Sequence, residues 1–143
     1  MNAMNTTRTT KNTTPASHPP ARARGVSTPS AIAADYVAIA AFALLARAAH
    51  QSEDMPFTFT GWLSTLWPFA LGVTLGWLIV RTDGAGLRRG GIIWVITVVT
   101  GLVIWGLRNQ AVPHWSFVIV ATVMSALLML GWRVVAGRFG SRH

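Results

Sequence analysis

The stretch Gly91–Leu107, GIIWVITVVTGLVIWGL, contains no charged side chain and only two hydroxyl-bearing ones. Three further apolar runs flank it, at Ala31–Ala49, Gly61–Val80 and His114–Val135. A hydrocarbon core about 30 Å thick requires about 20 mostly apolar residues in a helix. Lipid offers no water to backbone polar groups, whereas a helix satisfies them internally. The sequence therefore predicts an all-α membrane protein whose four transmembrane helices form an up-down-up-down bundle.

The segments outside these runs are short and polar. Residues 1–30 consist mainly of Thr, Ser, Pro, Ala and Arg. Such a segment cannot bury enough apolar surface to offset the entropy lost on ordering. We therefore expect a disordered cytoplasmic tail over residues 1–30, a four-helix transmembrane domain over 31–135 and a short basic cytoplasmic tail over 136–143.

The positive charges predict the orientation in the membrane. The chain has a net charge of +8, and its Lys and Arg residues lie in the tail, in connections or near helix ends. Ten of the twelve belong to one side: Arg8, Lys11, Arg22, Arg24, Arg81, Arg88, Arg89, Arg133, Arg138 and Arg142. The other two, Arg47 and Arg108, lie at span ends on the opposite side. Because cytoplasmic loops carry the excess of Lys and Arg, both termini are predicted in the cytoplasm, with the chain in the plasma membrane. The predicted partner of this charge is the lipid bilayer and not nucleic acid.

The first apolar run has a second interpretation as a cleaved signal peptide. Arg22 and Arg24 could form its basic region and Tyr36–Ala46 its apolar region, with Ala46-Arg47-Ala48 as a small-x-small cleavage site. The whole run is long enough to span the membrane when residues 31–34 are included. We therefore expect an uncleaved first span.

Asp35 is the only acidic residue inside a predicted span. It lies about 6 Å from the start of its helix, at a rise of 1.5 Å per residue. One hypothesis places it near the headgroups, where the positive end of the helix dipole favours a carboxylate. The other places it in the bundle as a proton or cation site, because ionisable groups within membranes are commonly functional.

Arg47 and His50 lie one turn apart at the other end of the first span. Twelve residues of helix separate Asp35 from Arg47, about 18 Å, so these two side chains cannot pair. Arg47 could extend to the headgroups, pair with Glu53 or Asp54, or bind an external anion.

The second span has one face of small and helix-perturbing residues. Gly61, Thr65, Pro68, Gly72 and Gly76 recur at steps of three or four residues, which places them on one face. A GxxxG spacing allows a second backbone to approach closely. Pro68 also frees the carbonyl four residues earlier, that of Ser64. This face could pack within the chain, form the seam of a homo-oligomer or act as a hinge.

Two spans end in the same three residues, Leu75-Gly76-Trp77 and Leu130-Gly131-Trp132. Tryptophan prefers the headgroup level of a bilayer. The match could indicate a parallel repeat of two helices plus two, but because it is only three residues long we interpret it as coincidence or as similar interface chemistry in two helices.

No motif predicts catalysis, a cofactor or a metal site. The chain has no GxSxG, HExxH or Walker sequence, no pair of acids at catalytic spacing and no cysteine. Four residues on one side could supply metal ligands, although not at zinc-motif spacing: His50, Glu53, Asp54 and His114. We therefore expect no enzyme, no cofactor and no metal.

Several short pieces together resemble a known family, in order and spacing. They are Asp35 to Phe42, Arg47 and His50; Trp67-Pro68-Phe69 with Gly72 and Gly76; Phe117-Val-Ile-Val-Ala121; and Leu130-Gly131-Trp132-Arg133. They resemble the small bacterial and archaeal membrane proteins catalogued as domain of unknown function 3054, over residues 35–133. Ala46 stands where that family's pattern has a glycine. The resemblance implies four membrane helices without an assigned activity, and it singles out Asp35, Arg47, His50 and Arg133.

Two hypotheses of function follow. The first is a non-enzymatic membrane protein that acts through helix association, as a homo-oligomer or a subunit of a membrane complex, with Pro68, Gly72 and Gly76 as packing residues. The second is a small transporter or ion-conducting protein. Asp35 would then be the inner proton or cation site, and Arg47 with His50 the outer group that attracts anions.

Overall fold

The computed structural model describes residues 26–50, 56–81 and 86–140, of which 88% are helical. The helices are α1 (Thr28–Ala49), α2 (Phe59–Val80), α3 (Leu87–Asn109) and α4 (Trp115–Gly140). All four are long and apolar enough to cross a membrane, and the described residues contain no strand. The predicted all-α class and helical bundle are confirmed.

Each helix packs against two others in a closed ring. Contacts join α1 to α2, α2 to α3, α3 to α4 and α4 back to α1. The last residues of α1 and α3 and the first residues of α2 and α4 lie at one end of this bundle, which we call the distal end. The first residues of α1 and α3 and the last residues of α2 and α4 lie at the other end, which we call the terminal end.

All four helices extend beyond the predicted spans, and α1 and α4 also extend into the predicted tails. α1 begins at Thr28, so residues 28–30 are helical and do not belong to the predicted tail. Pro29 lies in the first turn, where its fixed φ suits a helix and its missing N–H is not needed. α4 continues through Gly140, because the need for apolar side chains ends at the membrane boundary while helical hydrogen bonding does not. The remainder of both predicted tails, residues 1–25 and 141–143, lies outside the described residues.

The part of the α2 face that carries Gly72 and Gly76 packs against α3 of the same chain. The contact between α2 and α3 is the most extensive one between helices. A Cβ added at Gly72 would lie 2.6 Å from the Cα of Thr97, and one added at Gly76 would lie 2.9 Å from Ile93 Cγ2. On the opposite side of the contact, a Cβ at Gly101 would overlap the ring of Phe69. Of the three interpretations of this face, the structure therefore favours packing within the chain.

The centre of the bundle is apolar. The rings of Phe42 and Phe69 meet edge to face with their centroids 5.1 Å apart. Around them lies one cluster of buried side chains: Ala38, Ile39, Val73, Ile93, Ala121 and Met129. Large apolar side chains such as Val37, Leu78 and Leu127 point outward and are 59–68% exposed. A helix that is apolar on every side is typical of a membrane span, so these outer faces contact lipid.

Candidate functional site

Two polar regions stand out, and the first surrounds Asp35 at the terminal end. The Asp35 side chain is fully buried and pairs with Arg133 of α4. Arg133 Nη1 lies 2.5 Å from Oδ1, and Nη2 lies 2.6 Å from Oδ2. The indole N–H of Trp132 donates to Oδ1, and the indole N–H of Trp77 donates to Oδ2. In each hydrogen bond the nitrogen lies 3.0 Å from the oxygen. Each carboxylate oxygen thus accepts two hydrogen bonds.

The same cluster fixes Arg133 from several sides. Arg133 Nη1 also donates to the backbone carbonyl of Met129 at a distance of 2.8 Å. The guanidinium lies 4.5 Å from the ring centroid of Trp132. α3 contributes a glycine: a Cβ at Gly90 would lie only 2.5 Å from Arg133 Cδ. We call Asp35, Trp77, Trp132 and Arg133 the Asp35 network, and with Gly90 it involves all four helices.

The hypotheses for Asp35 can now be compared with its position. It faces the bundle, as the second hypothesis held, and it does not extend to the headgroups. Its oxygens are occupied by a bidentate guanidinium and two indole donors, the geometry in which Arg binds carboxylates most strongly. This arrangement is suited to holding α1 and α4 together. It is poorly suited to exchanging a proton or a cation.

The tryptophans of the two Leu-Gly-Trp segments bind the same side chain, that of Asp35. Trp77 and Trp132, at the ends of these segments, donate to the two oxygens of one carboxylate. The interpretation as coincidence or similar interface chemistry missed this convergence. The signal was present in the sequence, but its target is on α1, 42 and 97 residues away from the two tryptophans.

The second polar region is a cavity of about 640 Å³ at the distal end, which we call the distal cavity. Four basic or titratable side chains line it: Arg47, His50, Arg108 and His114. Neutral polar groups come from Ser64, Thr65, Asn109 and Ser116, and the apolar wall from Ala46, Pro68, Phe69, Trp105 and Phe117. No acidic side chain of the described residues lines the cavity. Its described lining therefore takes its positive charge from the guanidinium groups of Arg47 and Arg108.

Arg108 is positioned by the proline of α2. Because Pro68 has no N–H, the carbonyl of Ser64 lacks its helical donor. Arg108 replaces that donor, because its Nη1 donates to the Ser64 carbonyl at a distance of 2.9 Å. Its Nη2 also donates to the Ser64 hydroxyl at a distance of 2.9 Å. The guanidinium also lies 5.5 Å from the ring centroid of Trp67. The sequence identified the freed carbonyl, but it placed Arg108 only among the cations at span ends.

Arg47 is half-buried at the wall of the same cavity. It donates to the carbonyl of Pro56 at a distance of 3.4 Å. It also lies against Gly61, where an added Cβ would overlap the guanidinium. Gly61 therefore gives Arg47 room beside α2. The proposed pairing with Glu53 or Asp54 falls in residues 51–55, outside the described part of the chain.

The two histidines lie where helices end or begin. His50 follows α1 and is exposed, and His114 precedes α4. The backbone N–H of Ser116 donates to His114 Nδ1 over 3.3 Å, which leaves the Nε2–H as the donor of the neutral ring. Among residues 26–50, 56–81 and 86–140, no three His, Cys, Asp or Glu side chains could hold a metal together.

The structure thus sorts the predicted site residues into two groups. Asp35 and Arg133 meet at the terminal end, while Arg47 and His50 meet at the distal cavity. The Phe42–Phe69 contact belongs to the apolar cluster between the groups, and Phe69 also lines the cavity. The predicted separation of Asp35 from Arg47 agrees with this arrangement.

Comparison with known proteins gives a family but no activity. No curated protein and no solved structure matches the chain. A family model matches residues 32–136, which include the Asp35 network and every residue that lines the distal cavity. The resemblance inferred from the sequence is therefore confirmed, and the chain belongs to the family described as Protein of unknown function (DUF3054).

Proposed function

We propose that this protein is a non-enzymatic transporter of the plasma membrane that captures an anion in the distal cavity. The observation that carries the proposal is the convergence of Arg47, His50, Arg108 and His114 on one cavity. Clefts lined by one sign of charge concentrate the field and attract ligands of the opposite sign. These side chains come from the ends of α1, α3 and α4, so the site depends on the assembled bundle.

The orientation follows from the distribution of charge. With both termini in the cytoplasm, the distal cavity faces the outside of the cell. Arg47 and Arg108 are the only cations assigned to that side, and both line the cavity. Both arginines also have partners within the chain, Arg47 at the Pro56 carbonyl and Arg108 at Ser64, and the proposal adds an anion to these contacts.

The floor of the cavity is closed in this conformation. Phe69 forms part of the lining, and its ring packs on Phe42 in the apolar cluster. Passage of an anion toward the terminal end requires this contact to open. In this proposal the Asp35 network holds the helices together and does not carry the transported ion.

The hypothesis of association as an oligomer or complex subunit rested on Gly72 and Gly76. Both face α3 within the chain, where they leave no space for a second molecule. Association would therefore need another surface, and the proposal gives the distal cavity the functional role.

Anion binding can be tested on the purified protein in nanodiscs of zwitterionic lipid. Isothermal titration calorimetry with acetate and phosphate should give saturable binding to the wild type. Arg108→Gln should weaken it about tenfold, because a hydrogen bond to a charged group contributes about 1.5–3 kcal/mol. Arg138→Gln is the matched control, since Arg138 is an exposed arginine at the terminal end of α4.

A second variant guards against misfolding, because Arg108 also supports Ser64. His50→Gln removes an exposed side chain that follows α1 and should weaken binding without loss of thermal stability. Absence of saturable binding to the wild type would contradict the proposal, as would an equal loss in Arg138→Gln. Anion uptake into proteoliposomes then tests transport itself.

A further inference from the structure

Resting on the proposed anion site, we infer that the distal cavity takes an amphipathic organic monocarboxylate, with its carboxylate at Arg108 and its apolar body against Trp105 and Phe117. The shared chemistry is one carboxylate attached to an apolar group. A water-soluble aromatic acid and a fatty acid from the bilayer both provide it.

The size of the cavity indicates an organic molecule. Its volume of about 640 Å³ lies within the range of about 300–1,000 Å³ found for small-molecule sites. A halide or a phosphate would fill a small part of this space and leave the rest to water. A ligand with a body of several carbon atoms fills it better.

The wall of the cavity indicates that this body is apolar. The rings of Trp105 and Phe117 lie 5.3 Å apart at an interplanar angle of 32°, which gives a broad aromatic surface. Pro68 and Phe69 continue the apolar surface toward the floor. An inorganic anion would lose hydration against such a wall without receiving hydrogen bonds in return. An apolar body gains from the same contact.

The polar groups of the cavity suit a carboxylate. An arginine has five N–H donors, and Arg108 uses one on each Nη for Ser64. The remaining donors include Nε, and a guanidinium edge binds the two oxygens of a carboxylate in parallel. Asn109 and the Nε2–H of His114 lie in the same lining and supply neutral donors, while the Ser116 hydroxyl is hydrogen-bonded to His114 Nδ1 at a distance of 2.7 Å. One end of the ligand can therefore be held by charge while the other rests on the aromatic wall.

The test compares ligands that differ in one property at a time. Benzoate, hexanoate, acetate, phosphate and chloride are titrated into the protein in zwitterionic nanodiscs, with empty nanodiscs of the same lipid as the blank. Benzamide serves as the neutral counterpart of benzoate. We expect benzoate and hexanoate to bind at least about tenfold more tightly than acetate, phosphate or chloride, and benzamide to show no binding.

Two variants of α4 separate the apolar contact from the charge. Phe117→Ala should weaken benzoate binding about tenfold and leave acetate binding unchanged. Phe139→Ala is the matched control, because Phe139 is exposed on the same helix outside the cavity. Arg108→Gln should weaken every anion. A thermal unfolding curve for each variant checks that the bundle has folded.

The outcomes distinguish failure of the monocarboxylate inference from failure of the proposed anion site. Phosphate or chloride binding as tightly as benzoate overturns the monocarboxylate inference and leaves the proposed anion site standing. Binding of benzamide equal to that of benzoate overturns both, and so does the absence of binding by every ligand. A preference for hexanoate over benzoate supports the inference with the bilayer as the source of the ligand. A preference for benzoate supports it with a water-soluble aromatic acid.

Discussion

Asp35 and Arg133 lie 98 residues apart in the chain and meet side chain to side chain through contacts of 2.5 and 2.6 Å, with both side chains almost wholly buried. The pair joins the first helix to the last and closes the ring of four helices. Trp77 adds α2 to the same carboxylate. The bundle therefore has a buried ion pair at the terminal end, and other helix pairs are also joined by hydrogen bonds, such as Trp94 to Ser125 and Arg108 to Ser64.

Replacing Asp35 with Asn should destabilise the protein by about 3–5 kcal/mol, because Arg133 would remain buried without a counter-charge. Unfolding in detergent micelles, followed by circular dichroism, measures the change. The control is the double variant Asp35→Asn/Arg133→Met, in which both charges are gone and much of the stability should return. A loss of transport in Asp35→Asn at unchanged stability would instead support the proton-site hypothesis.

Gly72→Ala should destabilise the bundle by about 1–3 kcal/mol, since the new Cβ would lie 2.6 Å from the backbone of Thr97. Gly131→Ala is the matched control, because an added Cβ there meets no atom within 4 Å. The same unfolding assay compares the two variants, and crosslinking reports their oligomeric state. Should Gly72→Ala alter the oligomeric state and not the stability, the seam would be intermolecular.

Pro68 and Arg108 should be energetically coupled through the carbonyl of Ser64. In the wild type, Arg108→Gln leaves this carbonyl without its donor and should cost about 1 kcal/mol. In a Pro68→Ala background the new N–H can donate to Ser64, so the same substitution should cost much less. A double-mutant cycle measures the difference. Strictly additive effects would show that Arg108 does not serve this carbonyl.

The orientation predicts which residues an impermeant reagent can reach. The chain has no cysteine, so single cysteines can be introduced without a background. Val112→Cys, at a side chain that is 91% exposed in the distal connection, should react with an impermeant maleimide on intact cells. Gly86→Cys, where a side chain meets no atom within 4 Å, should react only after permeabilisation. The reverse pattern would place the distal cavity in the cytoplasm.

The sequence predicted the features that depend on local composition and missed those that depend on distant partners. Hydropathy predicted four spans because lipid selects for apolar length, and the spacing of Gly72 and Gly76 identified a packing face because helical periodicity is local. The Asp35 network was not predicted: the resemblance singled out Asp35 and Arg133 but did not pair them, and the distribution of charge counted Arg133 as a cytoplasmic cation. Arg108 was likewise missed as part of a cavity.

The helix ends show the same limitation. The apolar run of α4 ends near residue 135, yet the helix continues to Gly140 because backbone hydrogen bonding is indifferent to the lipid boundary. The cavity was anticipated only in part. Arg47 and His50 were singled out together, but their meeting with Arg108 and His114 depends on helices that are distant in sequence.

The position of the Asp35–Arg133 pair also bears on how the protein is made. α1 is synthesised first and enters the bilayer with a carboxylate whose partner is still about a hundred residues from being translated. Until α4 is inserted, the nascent chain carries an uncompensated charge on its first span. The ion pair therefore forms only after α4 has joined α1 in the bundle.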